Sequence, residues 1–98
     1  MRIARAVVKA RLAACVNVVG TPVYSIYCWK GRVEQAKEVL LLMKTSRKNL
    51  VSLRTAAERL HSYDVPEFIA VPIVAGSPAY MRWLDGCLQP TTRRRKPR

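Results

Sequence analysis

The stretch Val23-Tyr24-Ser25-Ile26-Tyr27-Cys28-Trp29-Lys30-Gly31-Arg32-Val33 decides the fold. β-Branched and aromatic residues dominate it up to Trp29, and such side chains suit a pleated, half-buried surface. Successive side chains of a strand point to opposite faces. Val23, Ser25, Tyr27 and Trp29 therefore share one face, and Tyr24, Ile26 and Cys28 the other. Lys30-Gly31 supplies a short connection with a glycine free to take positive φ, which predicts a tight hairpin turn. The return strand, residues 32–45, starts polar and ends in Val39-Leu40-Leu41-Leu42-Met43, the pattern of a strand solvated at its tip and buried at its base. Upstream, the strand pattern reaches back to Cys15 and is interrupted by Gly20-Thr21-Pro22, where a bulge or bend is predicted.

Helical spacing flanks this hairpin on both sides. Across residues 2–14, Ile3, Val7, Ala10 and Ala14 recur on one face while Arg2, Arg5 and Lys9 lie elsewhere. After the hairpin, Ser46 is a candidate cap for a second helix whose Leu50, Leu53, Ala57 and Leu60 share a face. His61-Ser62-Tyr63-Asp64-Val65-Pro66-Glu67 reads as a connector, and residues 68–75 as a short buried strand, with Pro72 favouring an edge or bulge. Ser77-Pro78 then predicts the capped start of a third helix carrying Tyr80, Leu84 and Leu88. The order α-β-β-α-β-α predicts an α+β, ferredoxin-like chain: the βαββαβ unit plus a C-terminal helix, lacking its first strand. That strand is central in such a sheet, so its absence strips pairing from two neighbours and uncovers both helices. On this ground a start upstream of Met1 is expected, or another segment in the vacant place.

The 98 residues suffice for one domain, assigned to residues 1–89 with a basic, disordered tail at 90–98. The chain holds 18 Lys and Arg against 6 Asp and Glu, a net charge of +12, and residues 91–98 contribute basic side chains but no acid and nothing apolar. Such a tail would meet nucleic acid through its phosphates, and any nucleic-acid contact is expected there alone. The longest apolar run, Val39 to Met43, is far below the roughly 20 residues of a membrane span, so no membrane association is expected. Arg2, Arg5, Lys9 and Arg11 break any secretory core, and three cysteines without a Cys-x-x-Cys pair fit neither a disulfide framework nor a structural zinc site. A cytoplasmic location is expected from this cysteine usage. Phosphate-binding glycine motifs and nucleophile elbows are absent, and a single histidine limits general base chemistry to His61 with Asp64 or Glu67. An enzymatic role is not expected, because no nucleophile accompanies that base.

Leu12-Ala13-Ala14-Cys15-Val16-Asn17, Ser25-Ile26-Tyr27-Cys28-Trp29-Lys30-Gly31, Glu34 and Glu38, Lys44-Thr45, the connector from His61 to Glu67, and Tyr80-Met81-Arg82-Trp83-Leu84 occur in an order that resembles the CutA divalent-cation tolerance family. The resemblance covers about residues 2–88. It implies a PII-like homotrimer assembled through long hairpins, tolerance to copper and other divalent cations, and no established catalysis. It also keeps a PII-like, ligand-sensing trimer as an alternative. The family's His-Pro-Tyr is His61-Ser62-Tyr63 here, which loosens the turn because Ser lacks the fixed φ of Pro. A second histidine of some members is Leu60 here, and the first-strand cysteine of some members has no counterpart.

The candidate metal ligands are His61, Cys28 and Glu67, for copper or another divalent cation, at or near a subunit interface. His61 has an alternative use, closing the second helix where a partly positive imidazole suits the helix C-terminus. Tyr27, Trp29, Lys44, Tyr63, Tyr80 and Trp83 are candidates for an interface pocket, with plain trimer packing as the other reading of the aromatics. Lys44, at the base of the return strand, calls for a carboxylate partner such as Glu67, or for an anion. Cys15 and Cys87 read as packing residues, and Cys28 as the exposed thiol.

Overall fold

The computed structural model describes residues 1–90; the basic tail read from residue 91 onward lies outside them. The first helix, α1 (Arg2–Lys9), buries Ala4 and Val7 and leaves Arg2, Arg5 and Lys9 in solvent. It stops short of the predicted residue 14. Arg11 adopts the left-handed φ of 62°, its N–H donates to Val8 O at 2.9 Å, and the N–H of Leu12 reaches back to Val7 O at 3.0 Å. This paired closure ends a helix in the manner usually given to glycine. The Arg11 side chain compensates by donating to the last carbonyls of the third helix: Nε to Cys87 O at 3.2 Å, and Nη2 to Gly86 O at 3.3 Å and Leu88 O at 3.4 Å. Early closure swings Ala13 and Ala14 into two separate apolar clusters.

Each long strand of the predicted hairpin is divided. β1 (Cys15–Val18) and β2 (Val23–Trp29) flank the bend at Gly20-Thr21-Pro22, while β3 (Arg32–Glu38) and β4 (Leu41–Lys44) flank Val39-Leu40. β2 and β3 pair antiparallel from Val23↔Glu38 to Trp29↔Arg32, closed by Lys30 and Gly31 at φ 53° and 77°. Two consecutive positive φ values match the twist of the strands they join. β1 and β4 continue the ribbon from Val18↔Leu41 to Cys15↔Lys44, with Val19 N–H bridging to Leu40 O at 2.9 Å.

Ser46 precedes a single 3-10 turn (Arg47–Asn49), after which α2 (Leu50–Leu60) buries Leu53 and Ala57. Ser46 does not cap by its hydroxyl: Oγ takes the Asn49 side chain at 3.1 Å. That buried amide is satisfied a second time by Gln89 O at 3.2 Å, which ties the end of the domain to its middle. The third helix, α3 (Pro78–Cys87), begins as predicted, with Ser77 Oγ accepting from Tyr80 N–H at 3.2 Å and Pro78 at the first position.

The main core centres on Val7, Ala13 and Leu53, with Ile3, Leu12, Val16, Met43, Ala56 and Phe68 packed around it. A second cluster joins Ala14 to Leu84 and Leu88. The predicted strand at residues 68–75 is not formed. Only Phe68 of that run is half-buried, and Val71 and Val74 are 80% and 91% exposed. The physical reason is the vacant central place: a strand needs a partner ladder, and β4 pairs only with β1 while no strand lies on its other edge among the described residues. The chain is thus a ferredoxin-like α+β fold without its first strand.

Candidate functional site

The side chains of the connector and of the hairpin meet near the foot of β3. His61 ends α2 in an extended conformation, φ −81° and ψ 147°, and its N–H returns to Glu58 O at 3.3 Å. Its ring turns back on the chain: Nδ1 accepts the Tyr63 N–H at 3.0 Å, and the two rings pack with centroids 4.7 Å apart, tilted by 58°. Hydrogen bonding to the Glu38 carboxylate pushes the Tyr63 phenol above its ordinary pKa, with desolvation and the charges of Glu38 and Tyr27 adding to the shift. His61, Tyr63 and Glu38 therefore form one cluster, while Tyr27, paired with Glu34 farther along the hairpin, acts on it through its charge alone.

The bond to Nδ1 decides what His61 offers. A nitrogen that accepts an N–H has its lone pair engaged, so the neutral ring carries its proton on Nε2 and presents a donor outward. A cation at Nε2 requires that proton to leave and the Tyr63 bond to open. The remaining expected ligands lie in other elements. Cys28 is exposed on β2 opposite Val33, and Glu67 is exposed in the segment after α2. No three of the His, Cys, Asp and Glu side chains gather into a cation site among the described residues.

Of the expected pocket residues, Tyr63 packs on His61, and Tyr27 lies on β2 opposite Glu34. Trp29 sits at the hairpin tip, opposite Arg32 and with the Lys30 ammonium 6.0 Å from its ring centre. Tyr80 and Trp83 pack on each other along α3, centroids 5.4 Å apart. Lys44 is half-buried at the end of β4, where its carbonyl accepts the Ala14 N–H at 2.8 Å. Glu38 is not among the site residues expected from sequence. A signal for it exists: it is a rare acid in a +12 chain, placed on the hairpin where the ribbon turns from polar to apolar. An open groove between α1 and β1, lined by Met1, Ala4, Arg5, Val8, Val16 and Val18, contains none of these residues.

A ferredoxin-like chain with a long exposed hairpin falls with the PII-like small α+β proteins. The profile of the CutA1 divalent ion tolerance protein family matches residues 1–87. The chain belongs to that family. It is 46% identical over 82 residues to the divalent-cation tolerance protein CutA of Thermus thermophilus, covering 84% of this chain and 79% of that one. It is 45% identical over 82 residues to mouse protein CutA, covering 84% of this chain and 46% of that one; the chain thus spans about half the length of the mouse relative. A solved structure of the divalent cation tolerance protein from Thermus thermophilus superposes with a TM-score of 0.86 at 43% identity, over 90% of this chain and 84% of that one.

The expectation of a cytoplasmic location does not hold against these relatives. One at 43% identity, from Arabidopsis thaliana, is named chloroplastic, and a solved structure from Archaeoglobus fulgidus at 33% identity is described as periplasmic. Cysteine usage fails as a guide because three unpaired thiols are compatible with more than one compartment. No helix among the described residues is long and apolar enough to cross a membrane.

Proposed function

We propose that this protein is a non-enzymatic, divalent-cation-responsive homotrimer, with copper as its ion and His61 as the residue that senses it. The observation that carries the proposal is the placement of the His61–Tyr63–Glu38 cluster at the foot of a hairpin whose apolar side chains are uncovered. Tyr24, Ile26 and Val33 are 62%, 70% and 80% exposed. An isolated two-stranded ribbon is marginal in water, and neighbouring copies laid along it would cover these groups.

With no three-donor group inside one chain among the described residues, the cation is shared between copies: His61 of one, completed by a thiol or carboxylate such as Cys28 or Glu67 at the same interface. Occupancy stabilises only the assembled state and so reports cation concentration as trimer stability. Divalent copper stands at the top of the usual affinity order and suits imidazole and thiolate donors. Because a cation at Nε2 moves the ring proton of His61 to Nδ1, uptake opens the bond from the Tyr63 N–H.

Copper titration of the wild type and His61→Ala by calorimetry tests this. His61→Ala lowers affinity at least about tenfold and abolishes whole-number uptake. An unchanged isotherm excludes His61.

A further inference from the structure

Gln89 fastens the last described stretch of chain to two helices at once. Its N–H donates to Arg11 O at 2.8 Å and its Nε2 to Ala10 O at 2.8 Å, while its own carbonyl accepts from Asn49 Nδ2 at 3.2 Å. The end of α1, the start of α2 and, through the Arg11 guanidinium, the end of α3 therefore meet at one corner of the domain. Lys9, Arg11, Arg47 and Lys48 are exposed there. Residues 91–98, with four arginines and one lysine, follow in the chain directly from this corner.

Little at the corner offsets its charge. Of the six acids in the chain, Glu34 and Glu38 are on β3, Glu58 is in the last turn of α2, and Asp64 and Glu67 follow that helix. Only Asp85, near the end of α3, belongs to the corner. The Arg11 guanidinium is held by the carbonyls of Gly86, Cys87 and Leu88 rather than by a carboxylate, so its charge is not neutralised. The first turn of α2 contains no acid, and its partly positive amino end adds to the same field. Cations gathered in this way attract a polyanion, which gains by releasing its condensed counterions on contact.

We propose that this corner and residues 91–98 together bind the phosphate backbone of nucleic acid without reading its sequence. Guanidinium groups grip phosphate oxygens in pairs, and arginine predominates in residues 91–98. Neither the four corner cations nor residues 91–98 bring an aromatic ring on which a base could stack, so the contact is to phosphates alone. An anionic membrane suits the surface less well, because residues 91–98 contain nothing apolar to enter it. The contact expected of the basic segment thus extends onto the folded domain. This inference does not depend on the cation response.

The experiment is fluorescence anisotropy of a labelled DNA duplex of about 20 base pairs with the full chain, from about 50 to 200 mM salt. The corner variant is Lys9→Gln/Arg47→Gln/Lys48→Gln, and a second variant replaces the five cations of residues 91–98 by Gln. The control, Arg32→Gln/Arg59→Gln/Arg82→Gln, removes the same charge from exposed sites away from the corner. The corner variant and the variant of residues 91–98 should each weaken binding at least about tenfold at the lowest salt, while the control stays within about twofold of the wild type. The slope of log affinity against log salt should become shallower by about 2–3 in the corner variant, as three phosphate contacts are lost. Four results would overturn the proposal. They are no binding of the duplex; equal losses in the corner variant and the control, which would reduce the effect to net charge; a corner variant that binds as the wild type does; or tighter binding to vesicles of phosphatidylserine and phosphatidylcholine than to the duplex, which would make a membrane the partner.

Discussion

Arg11 holds a left-handed φ of 62° to close α1, and its guanidinium offsets that strain by capping α3 through three carbonyls. Helix C-termini gather partial negative charge, so a cation held there adds to the hydrogen bonds themselves. Arg11→Ala should destabilise the domain by about 1–2 kcal/mol, since it keeps the backbone strain and loses the cap. Arg11→Gly relieves the strain and should cost less; urea unfolding of both variants checks the order. Tyr63 offers a second test at this scale. Its phenol is held above the ordinary value mainly by hydrogen bonding to Glu38, so the folded state binds that proton more tightly than the unfolded one. The associated stability is whole below the unfolded value, about pH 10, and falls as pH rises through the raised folded value. Tyr63 is 45% exposed, so the effect is small. Tyr63→Phe should shallow the alkaline decline of the melting temperature without altering the acid side. Neither residue's role is legible in the sequence, because both depend on partners distant along the chain that only folding brings near.

At the scale of elements, local signals read well and pairing does not. Gly20-Thr21-Pro22, Lys30-Gly31 and Ser77-Pro78 each carry their own chemistry, and each produces the bend, the turn and the cap predicted for it. The run 68–75 is apolar enough to be a strand but has no ladder beside it, a fact about the sheet rather than about the run. The first helix ends early for a related reason, since Ala10 and Ala14 continue the apolar spacing and nothing in that spacing marks Arg11 as a left-handed stop. The hairpin turn is the best element-level probe. Gly31 has φ 77° with open space where a Cβ would stand, so Gly31→Ala costs conformational strain alone, about 1 kcal/mol. A circular-dichroism melt would show a modest loss with the sheet signal retained, whereas loss of the folded signal would place the turn inside a packed interface.

At the scale of the molecule, the cluster around His61 is only partly legible in the sequence. The histidine and Tyr63 are identifiable by type and order, but Glu38 joins them through the hairpin, while Cys28 and Glu67 lie in other elements. In the proposed trimer, neighbouring copies supply what one chain leaves undone. An apolar hairpin with Ile26 at 70% exposure is suited to contact between copies, so Ile26→Lys should leave helical content unchanged and lower the association state. Sedimentation velocity separates that outcome from unfolding. The central claim, a cation-responsive trimer, is tested most directly by native mass spectrometry of the purified chain with and without equimolar Cu(II). The account predicts a particle of about 33 kDa, three times the 11.1 kDa chain, that takes up a whole number of copper ions and loses that uptake in His61→Ala. A monomer, or a trimer whose copper uptake is graded and indifferent to His61, would contradict it.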